Sequence, residues 1–223
     1  MADTTHSLAT YVSDMLAVEK HLRVPFDTQL NDGDFKEFQD TTDVVTRLSA
    51  LADRHVSNLE SALSSLGGHE AAPVKDAVTN VTGAVAGFVD KVRKTKVSKA
   101  LRDDYAALAF AIVSYEELLA TANGLGEAEV SALALRHLED YAGILMELGE
   151  CIPSVVLREL NHIGVTVDTS TSERTRESIA QAWRSRAKVE REDQTQQLGS
   201  IRGDITPQSG EPAWSPETGT PTA

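Results

Sequence analysis

Seven polar side chains stand where chemistry is conceivable. Glu19, His55 and His137 interrupt runs of apolar residues at helical spacing, and Asp53, Tyr115, Asp140 and Tyr141 lie close to them in sequence or pattern. Carboxylates and imidazoles together suit iron or manganese. Glu19, His55, His137 and Asp140 are therefore the candidate ligands of a metal centre, which a set of this size would hold as a single ion. The same groups, with the two tyrosine hydroxyls, could instead satisfy one another. Buried polar groups must find partners, and a closed layer of them is an ordinary way to do so. Other chemistry is poorly represented. The run VTGAVAGF carries its glycines inside a helical pattern and is no phosphate loop. Cys151, the only cysteine, has no histidine at a telling spacing and is expected to be a spectator thiol.

The elements that must position these residues are helices. In Leu8, Tyr11, Val12, Met15, Glu19, Leu22 and Phe26 the spacing of three and four predicts one face of a first helix, with a kink allowed at Pro25. NDGD at 31–34 reads as a turn. A second helix is expected from about Phe35 to Leu66, with Val44, Leu48, Leu51, His55, Leu59 and Leu63 inward and Gly67 and Gly68 ending it. A weaker helical stretch follows Pro73, striped by Val74, Val78, Val81, Val85, Phe88 and Val92. The next carries Leu101, Tyr105, Leu108, Ile112, Tyr115 and Leu119 and stops near Asn123–Gly126. Another runs from about Glu127 to Glu150 through Val130, Leu133, His137, Tyr141 and Leu148, and a separate short one follows Pro153. The fold class is all-α: an antiparallel four-helix bundle with extra helices over residues 1–164, a charged tail helix around Ile179 and Trp183 over 165–194, and a disordered Pro/Gly/Thr/Ser-rich tail over 195–223.

Composition narrows the function classes. A formal charge of −13 argues against sequence-independent binding to nucleic acid or to an anionic membrane, both of which need a basic face. One cysteine excludes an internal disulfide and fits a reducing cytoplasm. No signal peptide is evident, and no stretch is expected to span a bilayer.

Two stretches carry a resemblance. AVEKHL at 17–22 resembles a first-helix pattern of the YciF-like ferritin-like stress proteins, and AIVSYEELLATANGLG at 111–126 resembles their third principal helix. The resemblance spans roughly 8–160 and implies a ferritin-like fold. In di-iron members of that fold two helices give a Glu each and two give a Glu-x-x-His pair. Carried over by position, the resemblance keeps Glu19, places the second-helix pair on Ala50 and Asp53, and puts Leu108 and Ala111 at the third-helix carboxylates. The fourth-helix pair falls near Asp140 and Gly143. Alanine, leucine and glycine cannot ligate metal, so the usual di-iron centre is expected to be absent and the polar layer to be closed by hydrogen bonds. The single Glu-x-x-His, Glu159 and His162, is expected to be a helix-surface pair.

In the tail, Leu198, Gly199, Ser200, Ile201, Arg202 and Gly203 resemble the peptides that load ferritin-like and other cargo into encapsulin shells, with Leu198 and Ile201 as apolar anchors. A plain linker accounts for the same residues. Three functions follow as expectations. The first is a non-catalytic helical protein of stress-related ancestry, acting by association with itself or another protein. The second is a metal-binding oxidase or iron-handling protein, and the third an encapsulin cargo protein.

Overall fold

The computed structural model describes residues 4–67 and 96–184. Their regular structure is helical throughout: α1 (Thr4–Asn31), α2 (Gly33–Lys36), α3 (Gln39–Ser65), α4 (Val97–Leu125) and α5 (Ala128–His162). Residues 171–184 form a further helical stretch. The all-α class is therefore observed. The stretch after Pro73 and the Leu198–Gly203 peptide lie outside the described residues.

The four long helices close a cycle, each touching two neighbours: α1 with α3 and α4, α5 with α3 and α4. Cross-helix polar contacts fix the directions. Along α1 and α3 the pairs run Asp27 with Ser49, Arg23 with Asp53 and Lys20 with Glu60, so one number falls as the other rises. The same ordering holds for Arg47–Glu147 and Arg54–Asp140 between α3 and α5, and for Gln29–Asp104 and Glu19–Tyr115 between α1 and α4. Every neighbouring pair is antiparallel. The exposed ion pairs contribute no more than about 1 kcal/mol each. Most of the burial comes from the apolar stripes, whose buried members include Leu8, Val12, Met15, Leu22 and Phe26 of α1 and Val44, Leu48, Leu59 and Leu63 of α3. Tyr11, placed on the stripe by spacing, is instead 42% exposed.

Two helix boundaries differ from those that periodicity predicts. The second helix does not start at Phe35. The chain makes the single turn α2 and a step at Phe38 before α3 begins. That step buries both Phe35 and Phe38, lays the Arg158 guanidinium 4.3 Å over the Phe38 ring, and leaves the Phe35 carbonyl to the Thr42 hydroxyl at 2.8 Å. Secondly, α5 runs unbroken through Pro153 to His162. Proline removes one helical hydrogen bond, but burial of Pro153 and Val155 in the core offsets that loss. α1 likewise continues past Pro25. The turn signals behave as expected: Gly126 ends α4 with φ +76°, a left-handed conformation that only glycine adopts cheaply.

By length and composition α4 is apolar enough to cross a membrane, contrary to the expectation that no stretch would be. Here its inner face is part of the core, with Leu101, Leu108, Ala111, Tyr115 and Leu118 buried.

α4 also buries a carboxyl, Asp104. The Gln29 amide donates to one of its oxygens at 2.9 Å, while the other oxygen and the Gln29 carbonyl have no hydrogen-bond partner. Burial pushes the Asp104 pKa up to about 7. The folded protein therefore holds a proton there that the unfolded chain releases near pH 4, and stability contributed by Asp104 falls as pH rises from about 4 to 7. Asp104→Asn keeps the acceptor for Gln29 and adds a donor beside its unpaired carbonyl. It should raise stability at pH 8 by roughly 1–3 kcal/mol and do much less at pH 4.5, measured by urea unfolding.

Candidate functional site

Halfway along the helices the apolar stripes give way to one polar layer. Glu19 of α1 is fully buried between Met15 and Leu22. Its carboxylate accepts from three side chains on three other helices. The Tyr115 hydroxyl of α4 donates to Oε1 at 2.5 Å, the Tyr141 hydroxyl of α5 donates to Oε2, and His55 Nδ1 of α3 lies 3.0 Å from Oε1. The other side of the His55 ring, Nε2, is 3.1 Å from Asp140 Oδ2, which also accepts from Arg54 at 2.7 Å. His137 of α5 stacks on His55, with ring centroids 3.8 Å apart and planes 13° from parallel. Its Nδ1 is 2.9 Å from the Tyr115 oxygen and its Nε2 3.1 Å from Asn58 Nδ2.

Hydrogen positions follow from these contacts. Tyr115 gives its proton to Glu19, so His137 must donate Nδ1–H to the Tyr115 oxygen. His137 Nε2 is then the acceptor, and the Asn58 amide donates to it. This is a neutral imidazole with both nitrogens used. His55 faces carboxylate oxygens on both sides, and both contacts are hydrogen bonds only when each ring nitrogen carries a hydrogen. The layer thus alternates in charge: Glu19, His55, Asp140, Arg54. This end of the layer meets solvent, where the Asp140 side chain is 35% and the Arg54 side chain 55% exposed.

Titration behaviour agrees with this arrangement. Burial, with the positive His55 ring stacked against it, lowers the His137 pKa to about 3. Burial and the adjacent Glu19 charge push both tyrosines well above the usual phenol value. Burial opposes the charged form of Asp140, but hydrogen bonds from His55 and Arg54 outweigh it and hold its pKa below the usual carboxylate range.

The structure brings Glu19, His55 and His137 of the apolar stripes together with Asp140, and Glu19 finds its partners in Tyr115, Tyr141 and His55. Of the positions implied by the family resemblance, Glu19 and Asp140 lie in this layer and the others do not. Ala50, Asp53 and Gly143 are exposed, and Asp53 pairs with Arg23. The inward residues one turn before the two histidines are Ala52 and Ala134, both fully buried. Leu108 and Ala111 do lie in the core. A di-iron set does not fit these residues: alanines stand one turn before each histidine, and the lone pairs of Glu19, His55 and His137 are committed to one another, to tyrosines and to Asn58. Among the described residues, no group of three or more His, Cys, Asp or Glu side chains is gathered so as to hold a metal ion. Glu159 and His162 are not a surface pair either. Glu159 accepts from the backbone N–H of Ser98 at 3.0 Å and from its hydroxyl, capping the start of α4. Cys151 is half-buried, and burial raises its thiol pKa.

Spacing alone missed Arg54 and Asn58, although a signal was present. ALADRHVSNL at 50–59 and ALALRHLEDY at 132–141 share Ala, Leu, Ala, Arg and His in register. The repeat relates His55 to His137, Arg54 to Arg136 and Asn58 to Asp140. The hydrogen bonds follow it crosswise: each histidine's Nε2 meets the residue three places after the other histidine. Each Nδ1 meets a residue of the helix paired with its own, Glu19 on α1 or Tyr115 on α4.

No family model matches the chain, and no curated protein matches it.

Two outcomes are expected. Glu19→Gln puts an amide N–H among three donors and should cost about 3–5 kcal/mol, the usual loss when one partner of a buried charged set is removed. Tyr141→Phe removes a single hydroxyl and should cost about 1–2 kcal/mol, both by urea unfolding at pH 7.5. The second outcome concerns acid. Because His137 stays neutral down to about pH 3 when folded and protonates near 6.5 when unfolded, its contribution is complete above 6.5 and is lost as pH falls. In an Asp104→Asn background, which removes the opposing slope, stability should drop by roughly 3–5 kcal/mol between pH 7 and pH 3. His137→Gln should flatten that slope.

Proposed function

We propose that this chain is a non-catalytic, ferritin-like four-helix-bundle protein that works by association and whose ancestral metal chemistry has been replaced by a closed hydrogen-bonded layer. The observation that carries the reading is the Glu19 carboxylate, satisfied by Tyr115, Tyr141 and His55 rather than open to a ligand. Support for the ferritin-like part comes from the cycle of four antiparallel helices, the match at Glu19, and histidines on two facing helices with an inward residue one turn before each. Support for association comes from large apolar side chains left outside the core. Phe110 and Val113 are one turn apart on α4, at 39% and 52% exposed, and Leu135 and Met146 are exposed on α5. Self-association in the cytoplasm is the simplest form of this function. Loading into an encapsulin shell through Leu198–Gly203 is compatible with it and rests on the tail sequence alone.

Protein expressed in medium rich in iron and manganese should retain well under one metal ion per chain by elemental analysis. In sedimentation it should show concentration-dependent association that Val113→Glu weakens. Two tightly held irons per chain, with an absorption band lost in Glu19→Ala, would return the oxidase or iron-handling reading. A monomer at all concentrations would remove self-association.

A further inference from the structure

The polar layer contains an arrangement that a merely structural role leaves unused. Two fully buried phenols donate hydrogen bonds to one carboxylate, and one of those phenols is held on its other side by a neutral imidazole N–H. We propose that Tyr115 is a redox-active tyrosine, oxidised by a one-electron outer-sphere oxidant to a protected neutral radical, with Glu19 as the proton acceptor. This goes beyond the association reading and stands whether or not the chain self-associates.

The step balances within the residues named. The Tyr115 O–H bond breaks, its proton forms an O–H bond on Glu19 Oε1, and one electron leaves to the oxidant, which is reduced by one. The 2.5 Å donor–acceptor distance means the proton moves only a fraction of an ångström. Nothing has to be desolvated, since donor and acceptor are already buried together. Moving the proton with the electron avoids forming a phenol cation in the core, the state that burial makes costly. The charge left behind is also managed. Oxidation neutralises Glu19, and the positive His55 beside it keeps Asp140 as its remaining counter-charge, at an end of the layer that meets solvent.

Geometry selects Tyr115 over Tyr141. After the proton leaves, the Tyr115 oxygen still accepts from His137 Nδ1–H at 2.9 Å. The Tyr141 hydroxyl has its hydrogen bond to Glu19 and no such second donor among the described contacts. His137 can play this part because burial keeps its ring neutral, so it neither competes for the proton nor adds a positive charge. Protection comes from burial. Tyr115 and Tyr141 are inaccessible to solvent, whereas Tyr11 is exposed and Tyr105 half-buried, so radicals on the latter two can couple with other molecules. An electron has to cross about 10 Å, the width of one helix, a distance over which tunnelling is fast.

The test is flash oxidation of the full-length protein with photogenerated tris(bipyridine)ruthenium(III), followed by freeze-trapped electron paramagnetic resonance. A neutral tyrosyl signal should persist at least about tenfold longer than in Tyr115→Phe, equivalent to about 1.4 kcal/mol in the decay barrier. Tyr141→Phe and the double variant Tyr11→Phe/Tyr105→Phe should keep the long-lived signal, and Glu19→Gln should cut its yield. The double variant leaves the layer intact, so it reads out the buried site even where a core substitution impairs folding. Only short-lived radicals in the wild type, loss of the long-lived signal in the double variant, or its survival in Tyr115→Phe would each overturn the assignment. Metal content does not enter this readout, so its failure is separable from that of the proposed function.

Discussion

One buried negative charge organises this protein. A carboxylate in a helical core is tolerable only when nearly all its lone pairs are taken up, and Glu19 recruits a donor from each of the other three long helices. Apolar stripes would allow those helices to slide or rotate at modest cost, because one leucine replaces another. Three hydrogen bonds converging on two oxygen atoms leave no such freedom. The layer therefore sets register and facing, while the leucines, valines and phenylalanines supply most of the burial.

The histidines extend that constraint outward. Stacking two imidazoles 3.8 Å apart is unfavourable when both are charged, and the layer avoids this by giving the rings different partners. His55 lies between two carboxylates, and His137 between a phenol oxygen and an amide. A near-repeat in sequence thus becomes asymmetric in chemistry through two differences, Glu19 against Tyr115 and Asp140 against Asn58. The asymmetry separates a charged arm, ending at Asp140 and Arg54, from a neutral one that ends at the partly buried Asn58.

Polar burial elsewhere is less complete. Asp104 and Gln29 make one hydrogen bond and leave two acceptors unpaired. Protonation of Asp104 then relieves what packing does not, and it opposes His137 in its effect on stability over much of the same pH range. Two buried groups that titrate in opposite senses make the stability of the whole chain less sensitive to mild acid than either group would alone.

Helix existence, the apolar faces, the glycine stops and the burial of Glu19, His55 and His137 are legible in the sequence, because periodicity and turn chemistry are local properties. The A-L-A-x-R-H repeat is a sequence signal too, and it sets Arg54 and Asn58 beside the histidines. Other features depend on residues distant in sequence. Pro153 stays inside a helix because its surroundings bury it, and α2 separates from α3 because Phe35, Phe38 and Arg158 pack together. Which residues face the interior is also a tertiary matter. A helix turns about 100° per residue, so a shift of two residues separates the inward Ala52 and His55 from the exposed Ala50 and Asp53. Sequence determined that a carboxylate and two imidazoles would have to be buried, and offered four tyrosines on the same stripes, of which packing encloses Tyr115 and Tyr141. Only the packing of four helices decided that they would meet in one layer and which proton each would hold, because those hydrogen bonds join residues 22 to 122 positions apart.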